Sequence, residues 1–196
     1  MPLFKRINLA NMQQTTQNTR NFPVIDLGDF ILREQTRDDA EAFFEYYADP
    51  IVNRYIISSI PRSVDEARSE LQYWINVFNY GDGIYFAIAR KSDDKMIGSV
   101  GVAGFNRHHN RIEASYDLAK EYWNKGIMSK ALKAVMKYCF EVKKFNRIEA
   151  IAMPENVGSY KVLENCGFQF EGILRQHRYH KGKYVDVRMY SLLASD

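Results

Sequence analysis

The stretch EYWNKGIMSKALKAVMKYCF, Glu121 to Phe140, decides how the rest of the chain is read. From Ile127 onward apolar residues recur at helical spacing, with Ile127, Ala131, Val135 and Tyr138 or Cys139 on one stripe. The helix is entered through Trp123-Asn124-Lys125-Gly126, with no Ser, Thr or Asp beside Gly126 to cap its first amides. A helix N-terminus carries unpaired N–H groups and about half a positive charge, so an end its own side chains leave uncapped suits an anionic ligand. The plainer alternative is a surface helix whose first amides bond water and whose Lys125 is solvated.

Composition narrows the field around this stretch. The 196 residues suit one domain with a proper core, and the apolar share of 46% and charged share of 26% are those of an ordinary globular protein. Aromatics, at 14%, run high and predict some ring-lined concave surface. A net charge of +3 is too small to imply a nucleic-acid or membrane partner, though it favours anionic ligands. The two cysteines, Cys139 and Cys166, show no CxxC spacing and no metal-ligand cluster, so both are read as reduced thiols and no metal is expected. Without a long apolar run or an apolar signal core, the expectation is a cytoplasmic protein.

Outward from the quoted helix, local signals order the chain. Residues 1–28 are rich in Asn, Gln and Thr without a sustained period and read as a tail; residues 29–196 read as the domain. DFILREQT is a strand, and Thr36-Arg37-Asp38-Asp39 and Ser63-Val64-Asp65-Glu66 are capping-box-like starts of two helices. YFAIARK and MIGSVGVAGFN flank the turn-like Ser92-Asp93-Asp94-Lys95 and read as a hairpin. RIEASYDLAK follows as a strand with Ile112, Ala114, Tyr116 and Leu118 on one side and Glu113, Ser115 and Asp117 on the other. After the quoted helix come the strand RIEAIAM, a short helix in PENVGSYKVLENCGF ended at Gly167, and two closing strands joined at Lys181-Gly182-Lys183. Such an order describes a mixed α/β sheet with one strand-helix-strand crossover. Gly98, Gly101 and Gly104 fall inside a strand and match no nucleotide-binding pattern.

In this order, YDLAKEYWNKGIMSKAL, AMPENVGSYKVLENCGF and FEGILRQHRYHKGKYVDVRMYSLL resemble the Gcn5-related N-acetyltransferases (GNAT). Within them the chain is similar to the RimJ/RimL-like branch, which acetylates N-termini of ribosomal proteins. The resemblance runs from about Asp29 to Leu193. It implies a GNAT-like, mostly antiparallel sheet of about seven strands with about four helices, crossing over at the fourth strand, third helix and fifth strand. It also implies acetyl-CoA as co-substrate and an amine as acceptor, in a monomer or homodimer without direct nucleic-acid or membrane partners.

The family pattern before the third helix is Gln or Arg, two residues, Gly, one residue, then Gly or Ala. Here it reads Trp123 to Met128, with Met128 in place of a small residue. The resemblance therefore assigns the diphosphate of CoA to the segment Asn124, Lys125, Gly126, Ile127, Met128 and Ser129, chiefly through main-chain N–H groups. Leu118 and Lys120 are expected to contact pantetheine through the main chain, with the thioester carbonyl near the N–H of Leu118 or Ala119. Asn156 is expected to hold pantetheine, Ser159 to protonate the departing thiolate, and Tyr160 to stand in for it. Asn156 and Ser159 equally suit a plain helix cap. Glu113 is the expected base, its bland alternative being a solvated strand face. His177 is a second candidate, although Arg178 stands where a related enzyme has an acid.

The acceptor follows from acid–base chemistry. At pH 7 about 10–15% of an α-amine but only ~0.04% of lysine is neutral, a gap of ~3.5 kcal/mol. An enzyme with a weak base is thus best matched to an α-amine. A small-molecule amine and a non-catalytic acyl-CoA-binding module are the competing expectations.

Overall fold

A computed structural model describes residues 21–196, and residues 1–20 of the expected tail lie outside them. The strands are β1 (Ile25–Asp26), β2 (Phe30–Glu34), β3 (Gly83–Arg90), β4 (Met96–Asn106), β5 (Arg111–Leu118), β6 (Arg147–Ala152), β7 (Gln169–His180) and β8 (Lys183–Leu193). The α-helices are α1 (Ala40–Tyr47), α2 (Val64–Tyr80), α3 (Ile127–Glu141) and α4 (Val157–Asn165). Eight strands form one sheet in the order β1-β2-β3-β4-β5-β6-β8-β7. All described neighbours are antiparallel except β5 and β6, which α3 connects.

The structure adds detail to two expectations. The sheet has eight strands rather than about seven, and it begins at Ile25, ahead of the boundary expected at residue 29. Ile25 pairs with Leu32 and Asp26 with Ile31, while Leu27 is buried and Phe22 packs on Phe78 and Phe86. Two residues are too short to show a period, which is why this strand reads as tail.

Elsewhere local chemistry sets the boundaries. The Asp39 carboxylate accepts from the Thr36 amide at 2.8 Å, closing a 3-10 turn ahead of α1. Ser63 Oγ accepts from the Glu66 amide at 3.2 Å to start α2. Lys181 and Gly182, at φ 45° and 90°, make the two-residue turn between β7 and β8, in the handedness that matches strand twist. That turn is docked across the molecule. His180 Nε2 donates to the Arg54 carbonyl at 3.0 Å, and Lys181 Nζ to the Asn53 carbonyl at 3.2 Å, in the connection between α1 and α2.

α3 and α4 cover one face of the sheet, where Leu32, Phe86, Val100, Ile112, Leu132 and Ile148 are fully buried. α1 and α2 lie on the other face and pack a smaller cluster around Phe43, Leu71, Ala87 and Met96. The site is positioned by one irregularity. β5 and β6 pair only from Arg111–Ala114 to Arg147–Ala150. Beyond that point β5 runs on to Leu118 against β4 alone, and β6 runs on to Ala152 against β8, so the two strands part.

Candidate active site

Where β5 ends, a 3-10 turn over Lys120–Tyr122 leads into α3. Gly126, at φ 73°, is the N-cap of α3 and offers no side chain to its first turn. A Cβ on Gly126 would meet nothing within 4 Å, so the left-handed backbone, not crowding, calls for glycine here. Asn124 is also left-handed, at φ 59°. The first helical amide with a protein acceptor is that of Lys130, bonded to the Gly126 carbonyl at 3.0 Å. Among the described residues, the amides of Ile127, Met128 and Ser129 have none. Met128 and Ile127 point into the core, whereas Lys120, Asn124 and Lys125 are exposed, with Lys125 Nζ 5.4 Å from the centre of the Tyr122 ring. This segment therefore presents amides and a lysine outward and keeps its apolar side chains inside.

The parting strands lie next to it. Ala119 N–H donates to the Ile97 carbonyl at 2.8 Å, so it is not free for a thioester carbonyl, and that half of the expectation is corrected. Antiparallel ladders alternate, and Leu118 pairs with Gly98 one residue before this bond. The Leu118 main-chain groups therefore face away from β4, toward the opening. Its carbonyl is taken by Trp123 Nε1 at 2.8 Å, which leaves its N–H directed at the gap.

Across the gap stands the first turn of α4. Asn156 caps it, with Oδ1 accepting from the Ser159 amide at 3.3 Å. Tyr116 of β5 reaches over to it: its hydroxyl donates to the Ser159 carbonyl at 2.9 Å and lies 3.0 Å from Ser159 Oγ. Burial raises the Tyr116 phenol above its ordinary range, so it stays a protonated donor. Tyr160 points elsewhere, its ring 4.5 Å from the Arg188 guanidinium. Of the two hydroxyls expected at the sulfur, Ser159 is the one the structure joins to β5. Cys166 and Cys139 are free and buried, and burial raises both thiols, Cys139 to about 12.

Glu113, Ser115 and Asp117 occupy the opposite face of β5. Ser115 is exposed although its strand is interior to the sheet, so the helices on this face leave a cleft above it. Tyr85 hydrogen-bonds to Ser115 across Gly101, where a Cβ would sit 2.7 Å from the tyrosine ring. Trp74 of α2 stacks on Tyr85 with ring centres 4.0 Å apart. Both Glu113 oxygens accept from Arg178 Nη2, at 3.2 and 3.3 Å. The expected base is thus held in an ion pair from β7. His177, 2.7 Å from Arg178 Nη1, is kept below its ordinary pKa by partial burial and that guanidinium, with Glu113 opposing.

Asp117 escaped sequence reasoning. Its carboxylate accepts from Tyr46 O–H at 2.7 Å, Ser99 N–H at 3.1 Å and Ser99 O–H at 2.6 Å. Burial nonetheless pushes it up to about 6, the three donors opposing the rise. Strand alternation placed it beside Glu113, yet its partners come from β4 and α1, which no local pattern connects.

Comparison with known proteins gives the family. Residues 29–169 match the family described as an acetyltransferase (GNAT) domain. The chain belongs to the GNAT acetyltransferases. YoaA of Bacillus subtilis (strain 168), an uncharacterised N-acetyltransferase, is 32% identical over 172 residues, covering 88% of this chain and 97% of its own. The [ribosomal protein uS5]-alanine N-acetyltransferase of Escherichia coli (strain K12) is 26% identical over 166 residues, covering 81% and 84%. Among solved structures, Mycobacterium smegmatis RimJ in complex with CoA-disulfide superposes with a TM-score of 0.76 at 22% identity, covering 85% and 82%. This GNAT protein is accordingly an N-acetyltransferase with RimJ/RimL-like relatives, built on the mixed, mostly antiparallel fold of the family. None of its described helices is long and apolar enough to cross a membrane.

Proposed function

We propose that the protein transfers acetyl from acetyl-CoA to a primary amine, above all the N-terminal α-amine of a protein. The observation that carries this is the parting of β5 from β6 beside a helix start with three unbonded amides. These groups fit CoA. The amides of Ile127, Met128 and Ser129, with Lys125, suit its diphosphate, and the Leu118 N–H suits an acyl carbonyl in the gap. Lys120 and Asn156 flank the course of the pantetheine arm.

In the transfer the amine nitrogen bonds to the acyl carbon, the carbon–sulfur bond breaks, and the thiolate takes a proton. Ser159 Oγ supplies that proton and regains one from solvent, at a helix start that also favours the developing negative charge. The amine approaches from the cleft above Ser115 and gives up its proton there to Glu113 or to solvent. Glu113 is bound to Arg178 and is a restrained base, which favours an acceptor already partly neutral at pH 7, as an α-amine is. The uS5-alanine enzyme among the relatives, whose acceptor is a ribosomal protein, supports the same choice.

The test is thiol release from acetyl-CoA against a panel of N-terminal peptides and small amines. Turnover with peptides over lysine-only acceptors is expected. CoA binding without thiol release for any amine would replace this function with that of a binding module.

A further inference from the structure

One carboxylate on the helices that cover the Ser115 face of the sheet has no cation among the described residues. Glu70 of α2 is half-buried, and its Oε1 accepts from Trp74 Nε1 at 3.0 Å, one turn along the helix. Among the described residues it takes part in no ion pair. The neighbouring acids are engaged: Glu113 with Arg178, and Asp117 with Ser99 and Tyr46. Burial raises the Glu70 pKa, and the charge of Asp117 adds to the rise, the Trp74 bond opposing both. The contacts run from Glu70 through Trp74 and the buried Tyr85 to the exposed Ser115, which ties the carboxylate to the open side of β5.

A desolvated carboxylate is costly unless a cation joins it, and aromatic faces beside it attract the same charge. Resting on the acetyl-transfer reading above, we propose that Glu70 first binds the acceptor as its ammonium form, beside the Trp74 ring, and that the nitrogen loses its proton to solvent before it attacks the acyl carbon. The site then selects cationic amines without a carboxylate next to the amine. A chain N-terminus or an amino-acid amide satisfies this, whereas a free amino acid brings a negative charge toward Glu70 and is repelled. An acceptor that is neutral at assay pH, such as hydroxylamine, gains nothing from Glu70.

Glu70→Gln keeps an acceptor for Trp74 Nε1 while removing the charge, and retained CoA affinity reports an intact fold. Steady-state kinetics and calorimetry on CoA-loaded protein are measured with an alanyl peptide amide, free alanine and hydroxylamine. The variant should raise KM and Kd for the peptide amide about ten-fold or more, leave KM for acetyl-CoA unchanged, narrow the preference over free alanine, and spare hydroxylamine. Equal peptide affinity in both proteins, or no amine binding by the wild type, overturns the assignment of Glu70. Amine binding that depends on Glu70 but releases no thiol overturns the acetyl-transfer reading and leaves Glu70 standing.

Discussion

The substitution Asp117→Asn should flatten one component of the protein's pH dependence. The Asp117 carboxylate is held at about 6 in the folded protein, against roughly 3.9 for an unperturbed aspartate. Between these values the folded state binds a proton that the unfolded state does not, so stability falls as pH rises through about 4 to 6. A rise of about two pH units corresponds to ~3 kcal/mol in total, of which about 2 kcal/mol is expressed between pH 4.5 and 7.5. The asparagine side chain would keep an oxygen for Tyr46 or the Ser99 amide and turn its –NH2 to Ser99 Oγ, preserving the geometry. Urea unfolding followed by tryptophan fluorescence, at pH 7.5, 6.0 and 4.5, gives the wild-type-minus-variant difference. That difference should move by about 2 kcal/mol in favour of the wild type on acidification, since other titrating groups cancel in the subtraction. A difference constant to within about 0.5 kcal/mol across the range would refute the buried-carboxylate account.

Three further outcomes are expected. Ser159→Ala should lower kcat about 100-fold while acetyl-CoA binding changes little, as steady-state kinetics with calorimetry would show; equal losses in both would make Ser159 a structural cap. Gly126→Ala forces a left-handed alanine costing about 1 kcal/mol, and should weaken CoA binding in calorimetry several-fold with little change in acceptor KM. Leu132→Ala, fully buried under the sheet, should cost about 2–5 kcal/mol by chemical denaturation.

What is legible in the sequence is what neighbours along the chain decide. The starts at Thr36 and Ser63, the turn at Lys181-Gly182 and the stripe of α3 each rest on residues within a turn or two of one another. The uncapped entry at Gly126 is visible for the same reason. β1 is not, because Ile25–Asp26 has partners only across the sheet. The gap between β5 and β6 depends on register between strands joined by a whole crossover, and no run of residues encodes it locally. Alternation puts Glu113 on the right face, but Arg178, which binds it, lies 65 residues away. Glu70 looks like an ordinary polar position of α2: helical spacing sets it beside Trp74, but only the fold brings Tyr85 against Trp74 and the charge of Asp117 near the carboxylate.

The clasp between the β7–β8 turn and Asn53–Arg54 bears on how the enzyme comes into being. His180 and Lys181 leave the ribosome long after the segment they fasten, whereas the amides at 127–129 emerge before them. A nascent chain arrested ahead of Tyr179 would lack this clasp and all of β8, the strand that joins β6 to β7. The sheet should be complete only once that hairpin has been made.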